Sequence, residues 1–236
     1  MSTNNKFYFK FYDWEEKFKD KPFLRQPFGD SWEEYTWGET GQLARRLATG
    51  LKSLGLKKGS HIGLISKNCR EWIIADLAII MAGYVSVPFF PNLKSTEIKS
   101  LIEFGEVSAL FVGKLENWEE MKNGVDKDLP IIAFPHYENN SIVSEGFQWD
   151  EFISKFEPQR ENYHPNLDDI WTIIFTSGIE ARFSILFRDF PILTLSYGLA
   201  QETENWVHTF KDVFELKEKN ISLPEPYFRL VLINPF

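Results

Sequence analysis

A single cysteine, Cys69, excludes an internal disulfide framework. The histidines, His61, His136, His164 and His208, stand at no metal-ligand spacing from it or from one another, so no metal centre is expected. Such cysteine usage fits a reducing compartment, and the expected location is the cytoplasm. Basic residues are also short: 26 Lys plus Arg against 34 Asp plus Glu give a net charge of -8. No global field is left to hold a nucleic-acid backbone, and nucleic acid is not an expected partner. The chain has no long hydrophobic run. Its longest, residues 72–82, is interrupted by Asp76 and falls short of the roughly 20 residues a membrane helix requires. Residues 1–6 are polar and lead into aromatics broken by Lys10, Asp13 and Glu15, which excludes the apolar core of a signal peptide. Neither Gly-x-Gly-x-x-Gly nor Gly-x-x-x-x-Gly-Lys-[Ser/Thr] occurs, which disfavours a dinucleotide-binding or P-loop protein.

What is present suffices for a core: 43% of the 236 residues are hydrophobic and 16% aromatic, enough for one large domain or two small ones. From Tyr35 onward, short β-rich runs alternate with segments of helical period, the mark of an α/β layer with a mostly parallel sheet and helices on both faces. Thr36-Trp37-Gly38-Glu39 has the form of a capping box, Leu43, Leu47, Leu51 and Leu54 make an apolar stripe, and Gly55 supplies a left-handed stop. Residues 61–66 read as a strand. Asn68 with Glu71 repeats the capping logic for a helix ending at Gly83, and residues 84–87 read as a strand ended by Pro88. Ser95 is the expected cap of a helix through Phe104. Strand 107–112, helix 118–125, strand 129–134, loop 135–146, a short helix 149–156 and a buried strand 170–175 follow. Beyond Gly178 the expected elements are a strand over 191–199, a helix over 203–219 and a strand over 228–233, without a motif.

The run from Asp168 to Gly178 carries the chemistry: an apolar strand delivers Thr176-Ser177-Gly178, hydroxyls and a glycine at a strand-to-turn junction. Alone, that tripeptide is an ordinary turn, and Asp168-Asp169 is a solvated strand start rather than a catalytic pair. Gly29-Asp30-Ser31 resembles the serine motif of a lipase-like hydrolase, but no Asp-x-x-His exists to activate the serine, and the segment reads as a turn.

Taken in order and spacing, Tyr35-Thr36-Trp37 with Glu39, Leu47, Leu51, Gly55, Gly59, Asn68, Glu71, Trp72, Ala82-Gly83, Pro88, Asp169 and Thr176-Ser177-Gly178 resemble the N-terminal portion of an AMP-forming acyl-CoA synthetase. This adenylate-forming superfamily includes the long-chain fatty acid–CoA ligases. Asp20-Lys21-Pro22-Phe23-Leu24-Arg25 leans toward that branch. The resemblance implies a partial AMP-binding domain over 1–178 and an unassigned α/β tail over 179–236. It also implies ATP, Mg²⁺ and CoA as cofactors and a fatty acid as substrate. A carboxylate attacks the α-phosphate of ATP, giving acyl-AMP and pyrophosphate, and the thiol of CoA then takes the acyl group. Such chemistry depends on holding polyphosphate with backbone N–H groups, hydroxyls and cations.

In that family the loop runs Thr-Ser-Gly-Thr-Thr-Gly, a variable residue, then Pro-Lys-Gly. Only Thr176, Ser177 and Gly178 match it, as a vestigial phosphate loop; Ile179 removes a hydroxyl, Glu180 adds a carboxylate, Ala181 replaces a glycine, and Arg182 is misplaced for the lysine. One lost donor typically lowers such a rate by about 10²–10³. No catalytic or metal-binding residue is assigned, and the expected product is a fragment truncated within the loop and inactive alone. The second reading is a non-catalytic α/β binding or interaction module. The aromatics Phe7, Tyr8, Phe9, Phe11, Tyr12, Trp14 and Phe18, interleaved with lysines, offer weak peripheral membrane contact or, as the preferred expectation, packing on the sheet.

Overall fold

Thr36 starts the longest described helix as the sequence predicts. The computed structural model describes residues 11–165 and 169–175. The chain divides into two compact units, Met1–Ile173 and Ile174–Phe236, and of the second only Ile174 and Phe175 are described. The expectations for Thr176, Ser177 and Gly178, and for the tail, lie outside the described residues.

Before the main sheet comes a helix, α1 (Phe11–Phe18), and an antiparallel hairpin, β1 (Pro22–Phe28) and β2 (Ser31–Thr36). Gly29, at φ 56°, and Asp30 make the two-residue turn expected of that segment. Phe11 packs between Phe23 of β1 and Trp37, at 5.8 and 5.5 Å between ring centroids, and Phe23 stacks on Trp37 at 3.8 Å. Phe11 thus packs on the hairpin and the following helix, within the one core cluster that also holds Ile62, Leu64 and Phe111 of the main sheet. That helix, α2 (Trp37–Ser53), carries the predicted capping box: the Thr36 hydroxyl accepts from Glu39 N–H at 3.1 Å, and Glu39 Oε2 accepts from Thr36 N–H at 2.8 Å. Arg45 of α2 donates two 2.6 Å hydrogen bonds to Glu15 of α1. Gly41 makes the approach possible, because a Cβ there would stand 1.9 Å from Glu15 Oε1.

The main sheet holds β3 (His61–Ile65), β4 (Val85–Phe89), β5 (Val107–Val112), β6 (Ile131–Ala133) and β7 (Phe147–Gln148), all parallel, in the order β4-β3-β5-β6-β7. β3 reaches β4 through α3 (Arg70–Ala82), and β4 passes back across β3 to β5 through α4 (Ser95–Phe104). Travel in opposite directions with right-handed crossovers places α3 and α4 on opposite faces. The strands are accordingly apolar on both sides: Ile62, Leu64 and Ile65 of β3 and Leu110, Phe111 and Val112 of β5 have no exposed surface. A short helix α5 (Trp118–Met121) precedes β6, and α6 (Trp149–Ser154) follows β7.

After α6 the chain straps back over α2. Arg46 Nη1 donates to Phe156 O at 2.6 Å, Lys52 Nζ to Gln159 Oε1 at 2.8 Å, and Arg45 Nε to Asn162 Oδ1 at 3.0 Å, while Gln159 Nε2 donates to Met81 O of α3 at 3.1 Å.

Several local expectations are corrected. The N-cap of α3 is Cys69, not Asn68, and Glu71 does not reach back to it; its carboxylate is buried against Arg70 and Tyr137. Residue Lys94, not Ser95, caps α4: its N–H donates to Glu97 Oε2 at 2.7 Å, while the Ser95 hydroxyl donates to Glu120. Strand β4 continues through Pro88 to Phe89, because Ser86, of the same parity, bonds away from β3, so the N–H that Pro88 lacks also belongs to the outer side. Helix 118–125 shortens to α5 and a 3-10 turn, Lys122–Gly124; a Cβ at Gly124 would meet Ser95 O at 1.8 Å.

Asp76, in the apolar run of α3 after Glu71, is half-buried, and burial pushes its carboxyl up; the fully buried Ser86 hydroxyl opposes that shift from nearby without reaching hydrogen-bond geometry. A carboxyl raised in the folded state binds its proton more tightly there than in the unfolded chain. Its contribution is therefore complete below the unfolded value and is lost as pH rises through the folded one. Replacement Asp76→Asn is expected to raise the melting midpoint at neutral pH by about 2–4 °C, the shift that about 1 kcal/mol gives a chain of this size. The gain should vanish as pH falls below about 4, where an unfolded aspartate is protonated. Midpoints measured across that range check it.

Candidate functional site

The site begins at the segment that leads toward Thr176-Ser177-Gly178. Thr172 pairs in parallel with Ser86 of β4: Ser86 N–H donates to Trp171 O and Ile173 N–H donates to Ser86 O, both at 2.9 Å. This single rung is all of the ladder that the described residues form with β4, where a full buried strand over 170–175 was expected. The reason is local. The next rung would need an N–H from Pro88, which has none. Residues 171–175 are half-buried, and Ile170 is 42% exposed.

Asp169, read from sequence as a solvated strand start, accepts a hydrogen bond from the Tyr163 hydroxyl at 3.0 Å. Tyr163 stands over Lys58, whose Nζ lies 5.2 Å from the ring centroid, and its backbone carbonyl accepts from Tyr12 of α1 at 3.1 Å. Burial, then the bond to Asp169, raises the Tyr163 hydroxyl above its ordinary range. Asp168 lies outside the described residues. Neither Lys58 nor Tyr163 had been singled out, because their partners are distant in sequence and no local pattern marks them.

At the carboxyl edge of the sheet, where open parallel sheets hold ligands, the cations near the ends of β3 and β5 already have partners. Lys67 pairs with Glu116, Lys114 Nζ donates to Asn68 O at 3.2 Å, and Arg70 pairs with Glu33 and Glu71. The Cys69 thiol is buried and pushed up to about 12, which leaves it protonated and unreactive at neutral pH. Among the described residues no three His, Cys, Asp or Glu side chains converge as metal ligands, and no helix is long and apolar enough to cross a membrane. The described part is thus a scaffold that presents a lead-in segment; the groups expected to touch phosphate follow it.

A family described as "AMP-binding enzyme" matches residues 11–182, a span that contains the lead-in and Thr176, Ser177 and Gly178. Two Arabidopsis thaliana proteins are similar to this chain. The peroxisomal long chain acyl-CoA synthetase 6 is 30% identical over 157 residues, covering 61% of this chain and 22% of its own length. Long chain acyl-CoA synthetase 4 is 26% identical over 219 residues, covering 84% of this chain and 33% of its own. The chain thus spans a third or less of the length of these relatives. Among solved structures, the anthranilate CoA ligase AuaEII in complex with anthranoyl-AMP superposes with a TM-score of 0.61 at 18% identity, over 71% of this chain and 31% of that one. Coronafacic acid ligase from Pectobacterium brasiliense gives 0.59 at 24% identity, over 70% of this chain and 32% of that one. These likenesses carry the fold, that of a partial N-terminal domain of adenylate-forming ligases. With the family match running from the first described helix to residue 182, most of its length, the chain belongs to the AMP-binding enzyme family.

Proposed function

We propose that this chain carries the opening part of a long-chain fatty acid–CoA ligase and does not form acyl-AMP by itself. The observation that carries the proposal is the sequence after the lead-in. The family match runs to residue 182, and within it Thr176-Ser177-Gly178 are followed by Ile179-Glu180-Ala181, where the loop that the chain resembles has two hydroxyls and a glycine. Adenylation requires the α-phosphate of ATP to be held in line with a fatty acid carboxylate while charge builds on the departing pyrophosphate. Thr176 and Ser177 bring hydroxyls to that task, and Glu180 brings a negative charge beside them. The residues present fit a triphosphate with Mg²⁺ poorly, so no reaction step is assigned to them.

The long-chain branch is supported by the names of the similar plant proteins, and CoA enters as the family's acyl acceptor. The expected location remains the cytoplasm. Purified protein incubated with ATP, Mg²⁺ and a long-chain fatty acid is expected to release no pyrophosphate above a fatty-acid-free control. Release that depends on the fatty acid would refute the inactive part of the proposal.

A further inference from the structure

We infer that Asn123 is a site of spontaneous deamidation, gated by opening of the 3-10 turn Lys122–Gly124, and that isoaspartate formed there unseats the start of α4. Asn123-Gly124 is the one Asn-Gly pair in the sequence. Deamidation needs the main-chain nitrogen of the next residue to reach the side-chain carbonyl carbon, and glycine, without a Cβ, shields that nitrogen least. The Gly124 nitrogen forms a bond to Asn123 Cγ, its proton passes through solvent to Nδ2, and the Cγ–Nδ2 bond breaks with loss of ammonia. Water then opens the cyclic imide. Cleavage at Cγ gives aspartate, and cleavage at the main-chain carbonyl gives isoaspartate. Asn123 is exposed to the water this takes.

The fold holds the reacting atoms apart. Asn123 Nδ2 donates to Glu120 O at 3.0 Å and to Glu119 O at 3.4 Å, which turns the carboxamide back along α5 rather than on toward Gly124. Attack therefore waits for the turn to open. Lys122 resists that opening: its Nζ lies 2.7 Å from Glu119 Oε2 and 3.0 Å from Glu145 Oε1, and the buried Trp118 indole donates to Glu145 Oε2 at 2.8 Å. Gly124 ties the turn to α4. It is buried, and a Cβ there would stand 1.8 Å from Ser95 O and 2.8 Å from Ile98 Cγ2. Isoaspartate lengthens the main chain by one methylene directly before this contact, where there is no room for another carbon. Aspartate adds a charge and no length.

Ageing the full chain in warm, mildly alkaline buffer tests the site, with peptide mass spectra locating each asparagine that becomes an acid. In urea Asn123 is expected to react ahead of the other asparagines, and in the folded chain about tenfold more slowly than in urea. Lys122→Met should speed the folded chain by about threefold, the worth of a partly exposed ion pair, and leave the rate in urea unchanged. Equal rates in the two conditions, or no response to Lys122→Met, would overturn the gate. A folded chain that keeps Asn123 intact through about a hundred of the half-lives seen in urea would overturn the site. The aged products, separated by their added charge, then report the damage through amide exchange. In the isoaspartyl form the Ile98 amide, which donates to Lys94 O at 3.0 Å in the first turn of α4, should exchange about tenfold faster. The amides of Ile62 and Leu110 in the inner strands should keep their rates. Asn123→Asp, with the charge but not the added length, should leave Ile98 near its original rate. Unchanged exchange at Ile98 in the isoaspartyl form, or equal acceleration in Asn123→Asp, would overturn the unseating of α4.

Discussion

Replacing Arg70 with methionine is expected to lower the unfolding free energy by about 3–5 kcal/mol, because it strands a buried carboxylate. Glu71 is 1% exposed; one oxygen accepts from Arg70 Nε at 2.8 Å and the other from the Tyr137 hydroxyl. Arg70 in turn lies 4.4 Å from the Tyr35 ring centroid and 5.1 Å from that of Phe28, and reaches Glu33 of β2 at 2.6 Å. The guanidinium therefore joins the hairpin to the start of α3 through charge and aromatic contact together. Methionine replaces part of the volume and none of the charge. Arg70→Met/Glu71→Met should recover much of the loss, since no unpaired charge then remains. By contrast Glu33→Gln, at a carboxylate that is 56% exposed, should cost about 1 kcal/mol or less. Urea unfolding followed by circular dichroism separates these cases. A loss below about 1 kcal/mol for Arg70→Met would mean that water reaches Glu71 and the pair is not structurally decisive.

Gly146→Ala is expected to cost about 3 kcal/mol or more. Gly146 precedes β7 at φ 71°, and a Cβ there would stand 2.2 Å from Ile131 O and 2.8 Å from Ile131 Cβ in β6. The left-handed conformation alone costs alanine about 1–2 kcal/mol. The clash is with the backbone, which cannot rotate aside as a side chain can, so relief requires β7 to part from β6. Gly29→Ala supplies the comparison: φ is 56°, but nothing lies within 4 Å of the added carbon, and only the conformational cost of about 1–2 kcal/mol is expected. Equal midpoints for the two variants in urea would show that the β6–β7 edge yields freely.

The sequence was legible where structure is decided within one turn or one strand. The capping box at Thr36 and Glu39 lies within four residues, and the inner strands β3 and β5 are apolar but for His61 and Ser108. What it concealed depended on distant partners. Glu71 looks like a capping residue because it follows Asn68 by three, yet Tyr137 and Arg70 offer its carboxylate a buried site instead. Pro88 looks like the end of a strand until the direction of its missing N–H is known, and that direction follows from the pairing of Ser86. The hairpin was visible only as its turn, because β1 carries Pro22 and Pro27 and β2 is largely exposed, so neither shows clean alternation. For the candidate site, the apolar lead-in could be read locally, whereas its bond to Tyr163 could not. Thr176, Ser177 and Gly178 lie outside the described residues.

The strap over α2 bears on the order in which the molecule assembles. Its bonds join Arg46 to Phe156, Lys52 to Gln159 and Arg45 to Asn162 across 110, 107 and 117 positions of chain. Closing such long loops costs entropy before any bond forms, so these contacts belong to the late side of the folding barrier. The hairpin and α2 close over far shorter distances and can nucleate first. Substitutions such as Gln159→Ala should accordingly hasten unfolding while leaving the folding rate nearly unchanged, making the strap a determinant of how long the folded molecule lasts rather than of how fast it forms.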